Sequence, residues 1–212
     1  MLLQDRAQIL RLFRCRPLRG AFDDILRDVL VPQLRLRDGV SRVYVGRQGP
    51  GDVGSRLIAS LWSTRAAMVE AMGTHIEASK FFPEHLPETV DHDLEVLPLR
   101  IALTFAAETP TILRVAEGTV ADGDLPAYLR EAREGAELDA ASNRGPLALY
   151  LGERQATEFV TLSTWRSWSD IETATGAEIK RPVATQRGDR LVTFQATHYE
   201  VVDIAGPATG DY

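Results

Sequence analysis

Glu158–Gly176, EFVTLSTWRSWSDIETATG, is an alternating run that ends in a tryptophan, passes at once into a short amphipathic segment and closes on glycine. Arg56–Gly73, RLIASLWSTRAAMVEAMG, has the same design. Trp62 and Trp165 lie 103 residues apart, as do Gly73 and Gly176. Alternation predicts a strand with residues i and i+2 on one face. Ser167, three residues before Asp170, predicts a helix start, and the closing glycine a helix stop. A strand–helix unit that occurs twice at a fixed spacing marks a duplicated domain.

Working outward, Ile112-Leu113-Arg114 repeats Ile9-Leu10-Arg11 at the same spacing of 103, while Gly145, Tyr150 and Gly152 repeat Gly39, Tyr44 and Gly46 at 106. The three extra residues fall in the first helical region of the second copy and are given back in the shorter hairpin Glu153–Thr157. In the first copy, Gln8–Arg16 alternates as a strand. Leu18–Leu36 carries Phe22, Ile25, Leu26, Val29, Leu30 and Leu34 at helical spacing, with Pro32 expected to kink or shorten the helix. Val40–Gly46 and Arg56–Trp62 read as strands, Ser63–Gly73 as the second helix, and Thr89–Phe105 as a closing strand interrupted by Pro98. The second copy repeats this with a strand at Thr111–Glu117, a helix at Asp124–Asn143 and a closing strand at Leu191–Ile204.

Each copy is therefore β-α-β-β-α-β, the ferredoxin-like order, and the fold class is α+β. The division that follows is residues 1–105, a linker at 106–110, and 111–212. Such a half has both helices on one sheet face, so an apolar opposite face needs a second sheet, which the duplication supplies within the same chain. Of the 212 residues, 44% are hydrophobic and 25% charged, the balance of a soluble globular protein. A net charge of −6 and the lack of any long basic run argue against a nucleic-acid partner. No apolar run reaches the roughly 18 residues of a membrane span, and the N-terminal segment lacks a signal-peptide pattern. A cytoplasmic location is expected. The one cysteine, Cys15, rules out an intrachain disulfide and a cysteine-based metal cluster.

With these landmarks the chain resembles the antibiotic biosynthesis monooxygenase-like domains of the dimeric α/β-barrel superfamily. The resemblance is carried by the element order, the helix ends at Asp38-Gly39 and Arg144-Gly145, and the strands Val43-Tyr44-Val45-Gly46 and Leu149-Tyr150-Leu151-Gly152. Trp62-Ser63, Trp165-Arg166-Ser167 and the closing His198-Tyr199-Glu200-Val201 complete it. It implies an intramolecular pseudo-dimer forming a barrel within one chain, with further oligomerisation open. It also implies a small-molecule cavity between each sheet and its own helices. Family members include cofactor-independent oxygenases of quinol-type aromatics and proteins that bind and degrade haem through a histidine in the second helix. An asparagine that the oxygenases carry four residues before the tryptophan is replaced here by Ile58 and Thr161.

The expected function is accordingly a monooxygenase-like oxidation of a small aromatic or quinol, with no cofactor. The alternatives are a haem protein using His75, or a non-catalytic ligand binder. Trp62, Arg11, Tyr44 and His75 are the candidate catalytic residues, and Trp165, Arg114 and Tyr150 the candidate substrate-binding ones. No metal site is expected. Each has a plainer alternative. The tryptophans plug the end of each core, the arginines pair with helical acids, and the tyrosines are core rings with hydroxyls at the rim. Because His75, Lys80 and His85 face Glu178, Val183 and Gly188 at the common spacing, the first repeat is expected to hold the larger or more polar cavity.

Overall fold

A computed structural model describes residues 3–4, 6–17, 21–49, 54–73, 89–141, 145–176, 178–183 and 190–205. After a two-residue strand β1 (Leu3–Gln4), the first repeat runs β2 (Ile9–Pro17), α1 (Ala21–Ile25), a π turn (Leu26–Leu30), α2 (Val31–Arg35), β3 (Val40–Arg47), β4 (Arg56–Trp62), α3 (Arg65–Met72) and β5 (Thr89–Thr104). The second runs β6 (Ile112–Val120), α4 (Leu125–Ala141), β7 (Ala148–Gln155), β8 (Glu158–Trp165), α5 (Trp168–Thr175) and β9 (Leu191–Ala205). The α+β class and the doubled ferredoxin-like order are those expected, and β4 and β8 have the bounds read from the alternation.

Two details differ. The helix containing Pro32 is not broken. Five residues of π helix, in which the Val31 N–H bonds the Leu26 carbonyl, precede the proline and absorb the wider turn. Pro98 does not interrupt β5, which is continuous for 16 residues. Its pairing with β7 begins one residue later, at Leu99, so the missing N–H costs no ladder bond there.

The chain folds as two compact units, one of Arg6–Leu97 with Tyr199–Tyr212 and the other of Met1–Asp5 with Pro98–His198. The sequence repeat was expected to divide at 106–110, whereas the packing divides inside the two long closing strands, each of which gives its two ends to different units. In the first-repeat unit the strand order is β5-β2-β4-β3-β9, and in the second-repeat unit β9-β6-β8-β7-β5-β1. Within each repeat that is the fourth-first-third-second order of a ferredoxin-like sheet.

Alternation sorts the strand residues between faces. In the first-repeat unit Ile9, Phe13, Val43, Val45, Ile58 and Trp62 pack with Phe22, Leu26, Leu30 and Leu34 of the helical segment and Met68 of α3. Leu10, Leu12, Leu57, Ala59 and Leu61 occupy the opposite face and are also fully buried. In the second-repeat unit Leu149, Leu151 and Phe159 pack against Leu125, Tyr128, Ala132 and Ala136 of α4. Ile112 and Trp165 pack against Ile171 and Ala174 of α5. Gly39 joins α2 to β3 at φ +83°, with a Cβ there lying 2.4 Å from that of Ala67 in α3, so both its conformation and its neighbour demand glycine.

Candidate functional site

Ser163 and Trp165 stand two residues apart on β8, so they share its helix-facing side, and the indole N–H donates to the Ser163 hydroxyl at 2.9 Å. Trp62 donates to Ser60 in the same way, also at 2.9 Å. Both rings are fully buried. Their surroundings differ. Trp165 borders a cavity between the sheet and α4, lined by Arg114 and Ala116 of β6, Tyr128, Ala132 and Ala136 of α4, and Thr161 and Ser163 of β8. Leu149, Pro146, Asp139, Val183 and Phe194 complete the wall. Its volume is about 30 Å³, room for roughly two water molecules.

Polar atoms converge there. The Arg114 Nε, Tyr128 hydroxyl and Thr161 hydroxyl are buried and bond to no protein atom among the described residues. Buried polar groups are nearly always paired, so three orphans on one small cavity mark it out from the rest of the core. Arg114 donates through one terminal nitrogen to the Arg181 carbonyl, and its guanidinium lies 5.5 Å from the centre of the Phe194 ring. Burial lowers its pKa to about 10, which leaves it charged at neutral pH. Burial raises that of the Tyr128 phenol, which stays neutral. The Tyr128 ring is held against Phe159 at 4.4 Å between centroids.

His198, on β9, closes the polar edge of this region. The Thr119–Thr193 hydroxyl contact of 2.8 Å and the Gln195–Glu117 bond of 3.4 Å tie β9 to β6, its neighbour in the sheet, and the Arg114 charge acts on His198. Its imidazole bonds the Ile179 backbone and lies 5.4 Å from the Trp168 ring. Burial and the nearby Arg114 and Lys180 charges drop its pKa to about 4, so it is neutral at pH 7.

The first repeat has the matching Arg11, Ser60 and Trp62 on its helix-facing side, with Arg11 buried and its pKa lowered by burial to about 9. However, Phe13 stands where the second repeat has Ala116, and Ile58 where it has Thr161. Both join a continuous apolar core with Trp62. Among the described residues the small sheet–helix cavity is therefore in the second repeat, whereas the first-repeat unit has a larger, more open pocket of about 300 Å³ lined by Arg14, Cys15, Arg16, Ser55, His92, Asp93 and Tyr199. The difference at the sheet–helix position follows side-chain volume on β2 and β4. His75, Lys80 and His85 lie outside the described residues.

The structure thus brings Arg114 and Trp165 to one cavity. Tyr150 is not on that face: its neighbours Leu149 and Leu151 face α4, so its ring points to the other side of the sheet, where its hydroxyl lies 3.5 Å from that of Thr104. Tyr44 stands likewise between the core residues Val43 and Val45, on the face away from Arg11 and Trp62. Tyr128 lies within the helix expected at Asp124–Asn143 without standing out there, and Thr161 stands out only as the replacement of an asparagine. Neither announces by type that its hydroxyl is left unbonded.

No known family profile and no curated protein matches the sequence. Solved structures do. A proposed monooxygenase from Lactobacillus acidophilus superposes with a TM-score of 0.74 at 10% identity, covering 95% of this chain and 97% of that one. An anthrone oxidase-like protein gives 0.64 at 13%, covering 98% and 97%. A chlorite dismutase from Candidatus Nitrospira defluvii gives 0.58 at 10%, covering 94% and 93%. The chain shares the α+β fold of these structures, with the ferredoxin-like order twice in one chain. Identities this low carry the fold and not the chemistry.

That fold class includes haem proteins by the resemblance stated above, but the described residues do not fit haem. The second helix of the second repeat, α5, contains no histidine. His198 does not line the cavity, which is far too small for a macrocycle. No cluster of three potential metal ligands occurs among the described residues, and none of their helices is long and apolar enough to cross a membrane.

Proposed function

We propose that the second-repeat cavity of this monooxygenase-like fold binds a small electron-rich aromatic of the phenol or quinol type as its anion and promotes its oxidation by dioxygen. The observation that carries the reading is the meeting of three orphaned polar groups, on Arg114, Tyr128 and Thr161, beside the Trp165 ring. Arg114 supplies a desolvated positive charge that favours the ionised form of a ligand hydroxyl. Tyr128 and Thr161 offer hydroxyl donors to the same oxygen, and Trp165 a flat face to the ring. In the water-poor core the anion is electron-rich enough to transfer an electron to dioxygen. For a ring methylene the balance is CH2 + O2 → C=O + H2O, one oxygen going to product and one to water. A neighbouring structure named as anthrone oxidase-like supports this class of substrate.

A cavity of about 30 Å³ does not hold a ring, so binding requires the wall of Pro146, Val183 and α4 to open. The test is titration with anthrone and 1,4-naphthohydroquinone, followed by tryptophan fluorescence and by oxygen uptake. Saturable quenching that disappears in Trp165→Phe, with one oxygen consumed per ketone formed from anthrone, is expected. No quenching, and oxygen uptake no faster than in buffer, would overturn the reading.

A further inference from the structure

Arg114 and Arg56 are both almost completely buried, at 3% and 1% exposure, and the chain treats them differently. Arg56 has a carboxylate: its Nε and a terminal nitrogen bond the two Asp23 oxygens at 2.6 and 2.8 Å. Arg114 has one carbonyl, from Arg181, and the face of Phe194. The Tyr128 phenol beside it is neutral at pH 7, and the Asp139 carboxylate lies on the same cavity wall. Among the described residues this desolvated guanidinium has a carbonyl dipole and a ring as partners and no bonded carboxylate, which leaves a cation short of its counter-charge. Two waters could bond the hydroxyls of Tyr128 and Thr161, but they would leave that charge uncompensated.

We propose that this cavity is a binding site for a small monovalent anion of chloride or formate size, held by the Arg114 Nε–H and the hydroxyls of Tyr128 and Thr161. The three donors come from β6, α4 and β8, so no neighbouring pair along the chain makes the site and only the fold assembles it. The small side chains Ala116, Ala132 and Ala136 leave the space, and its size limits the occupant to a few heavy atoms, with the Asp139 carboxylate also on the wall. The inference rests on the cavity being a ligand site, as proposed above, and assigns its charge and size in the closed form. An aromatic anion would set its oxygen where the small anion sits, so the two compete.

The test uses the whole chain at constant ionic strength, replacing gluconate, which is too bulky for the cavity, by chloride or formate. A saturable rise in melting temperature and broadening of the chloride-35 resonance are expected. Thr161→Val and Tyr128→Phe remove one oxygen each and should weaken anion binding about tenfold or more. Arg114→Met should abolish it, and if that variant does not fold the hydroxyl variants decide alone. A melting temperature that follows ionic strength only, or an anion effect unchanged in both hydroxyl variants, would overturn the proposal. Anions that bind without competing with naphthohydroquinone would leave this site standing and remove the aromatic reading. Quinol binding with no anion effect would do the reverse.

Discussion

Trp165 and Ser163 form a closed local pair, indole N–H to hydroxyl at 2.9 Å, two residues apart on one strand face, and Trp62 and Ser60 reproduce it at 2.9 Å in the other repeat. The geometry follows from the period of a strand: residues i and i+2 lie side by side on one face, close enough for a serine to reach an indole nitrogen. Each pair lets a large ring sit in the core with its one polar atom satisfied.

Removing either hydroxyl should therefore cost alike. Ser60→Ala and Ser163→Ala each orphan an indole N–H in a fully buried setting, a loss of about 1–3 kcal/mol. Urea unfolding of the two variants measures it. A loss near zero in Ser163→Ala alone would mean that a water in the adjoining cavity takes over the bond.

Arg56 and Asp23 form the bidentate pair of the first repeat, with Arg56 fully buried and Asp23 at 30% exposure. Asp23→Ala removes the carboxylate from a buried guanidinium, which keeps the Gly54 carbonyl, and should cost about 3–5 kcal/mol. Asp24→Ala breaks only a surface contact to Arg27 and should cost less than about 1 kcal/mol. Comparable losses in the two variants, measured by thermal melts, would show that water reaches Arg56.

Much of this frame was legible in the chain. The spacing of Trp62 and Trp165 alone gives the duplication, and strand alternation gives β4 and β8 to the residue. The π turn before Pro32 was not legible, because the apolar spacing of Phe22–Leu34 is compatible with either helical pitch. Nor were the compact units, since a repeat boundary in sequence carries no record of which sheet each end of a closing strand joins. The site was half legible. Arg114 and Trp165 stood out by repetition, yet repetition also pointed to Tyr150, which strand alternation turns away from them. What distinguishes the two halves is the volume at Ala116 and Thr161 against Phe13 and Ile58, a difference visible only once those positions are known to face one another across β6 and β8.

His198 makes stability pH-dependent. Its folded pKa is lowered from 6.5 to about 4, by burial first and then by the positive charges of Arg114 and Lys180, with the Ile179 hydrogen bond opposing. The unfolded chain therefore binds this proton more readily. Its contribution is complete above pH 6.5, falls as pH drops through the window from 6.5 to 4, and changes no further below it. The full swing is roughly 3 kcal/mol. His198→Gln should flatten that part of the stability–pH curve measured by urea unfolding. An unchanged slope would assign the acid sensitivity to other groups.

Thr161→Ile gives the second repeat the residue that the first has at Ile58 and tests whether the cavity is a site or a packing flaw. The substitution fills part of about 30 Å³ with a methyl-rich side chain and removes a hydroxyl that bonds to no protein atom among the described residues. Both changes favour the folded state, so a gain of about 1 kcal/mol is expected, provided that the larger side chain meets no clash. Binding of small anions and of quinols should fall together, because the same change removes a donor and occupies the space. Stabilised protein with lost binding is the signature of a functional cavity kept open at a cost to the fold. Stabilised protein with unaltered binding would place the ligand elsewhere. A destabilised Thr161→Ile variant with an equally destabilised Thr161→Val, which adds no bulk, would show that the Thr161 hydroxyl holds a structural water, and the cavity would then belong to the core.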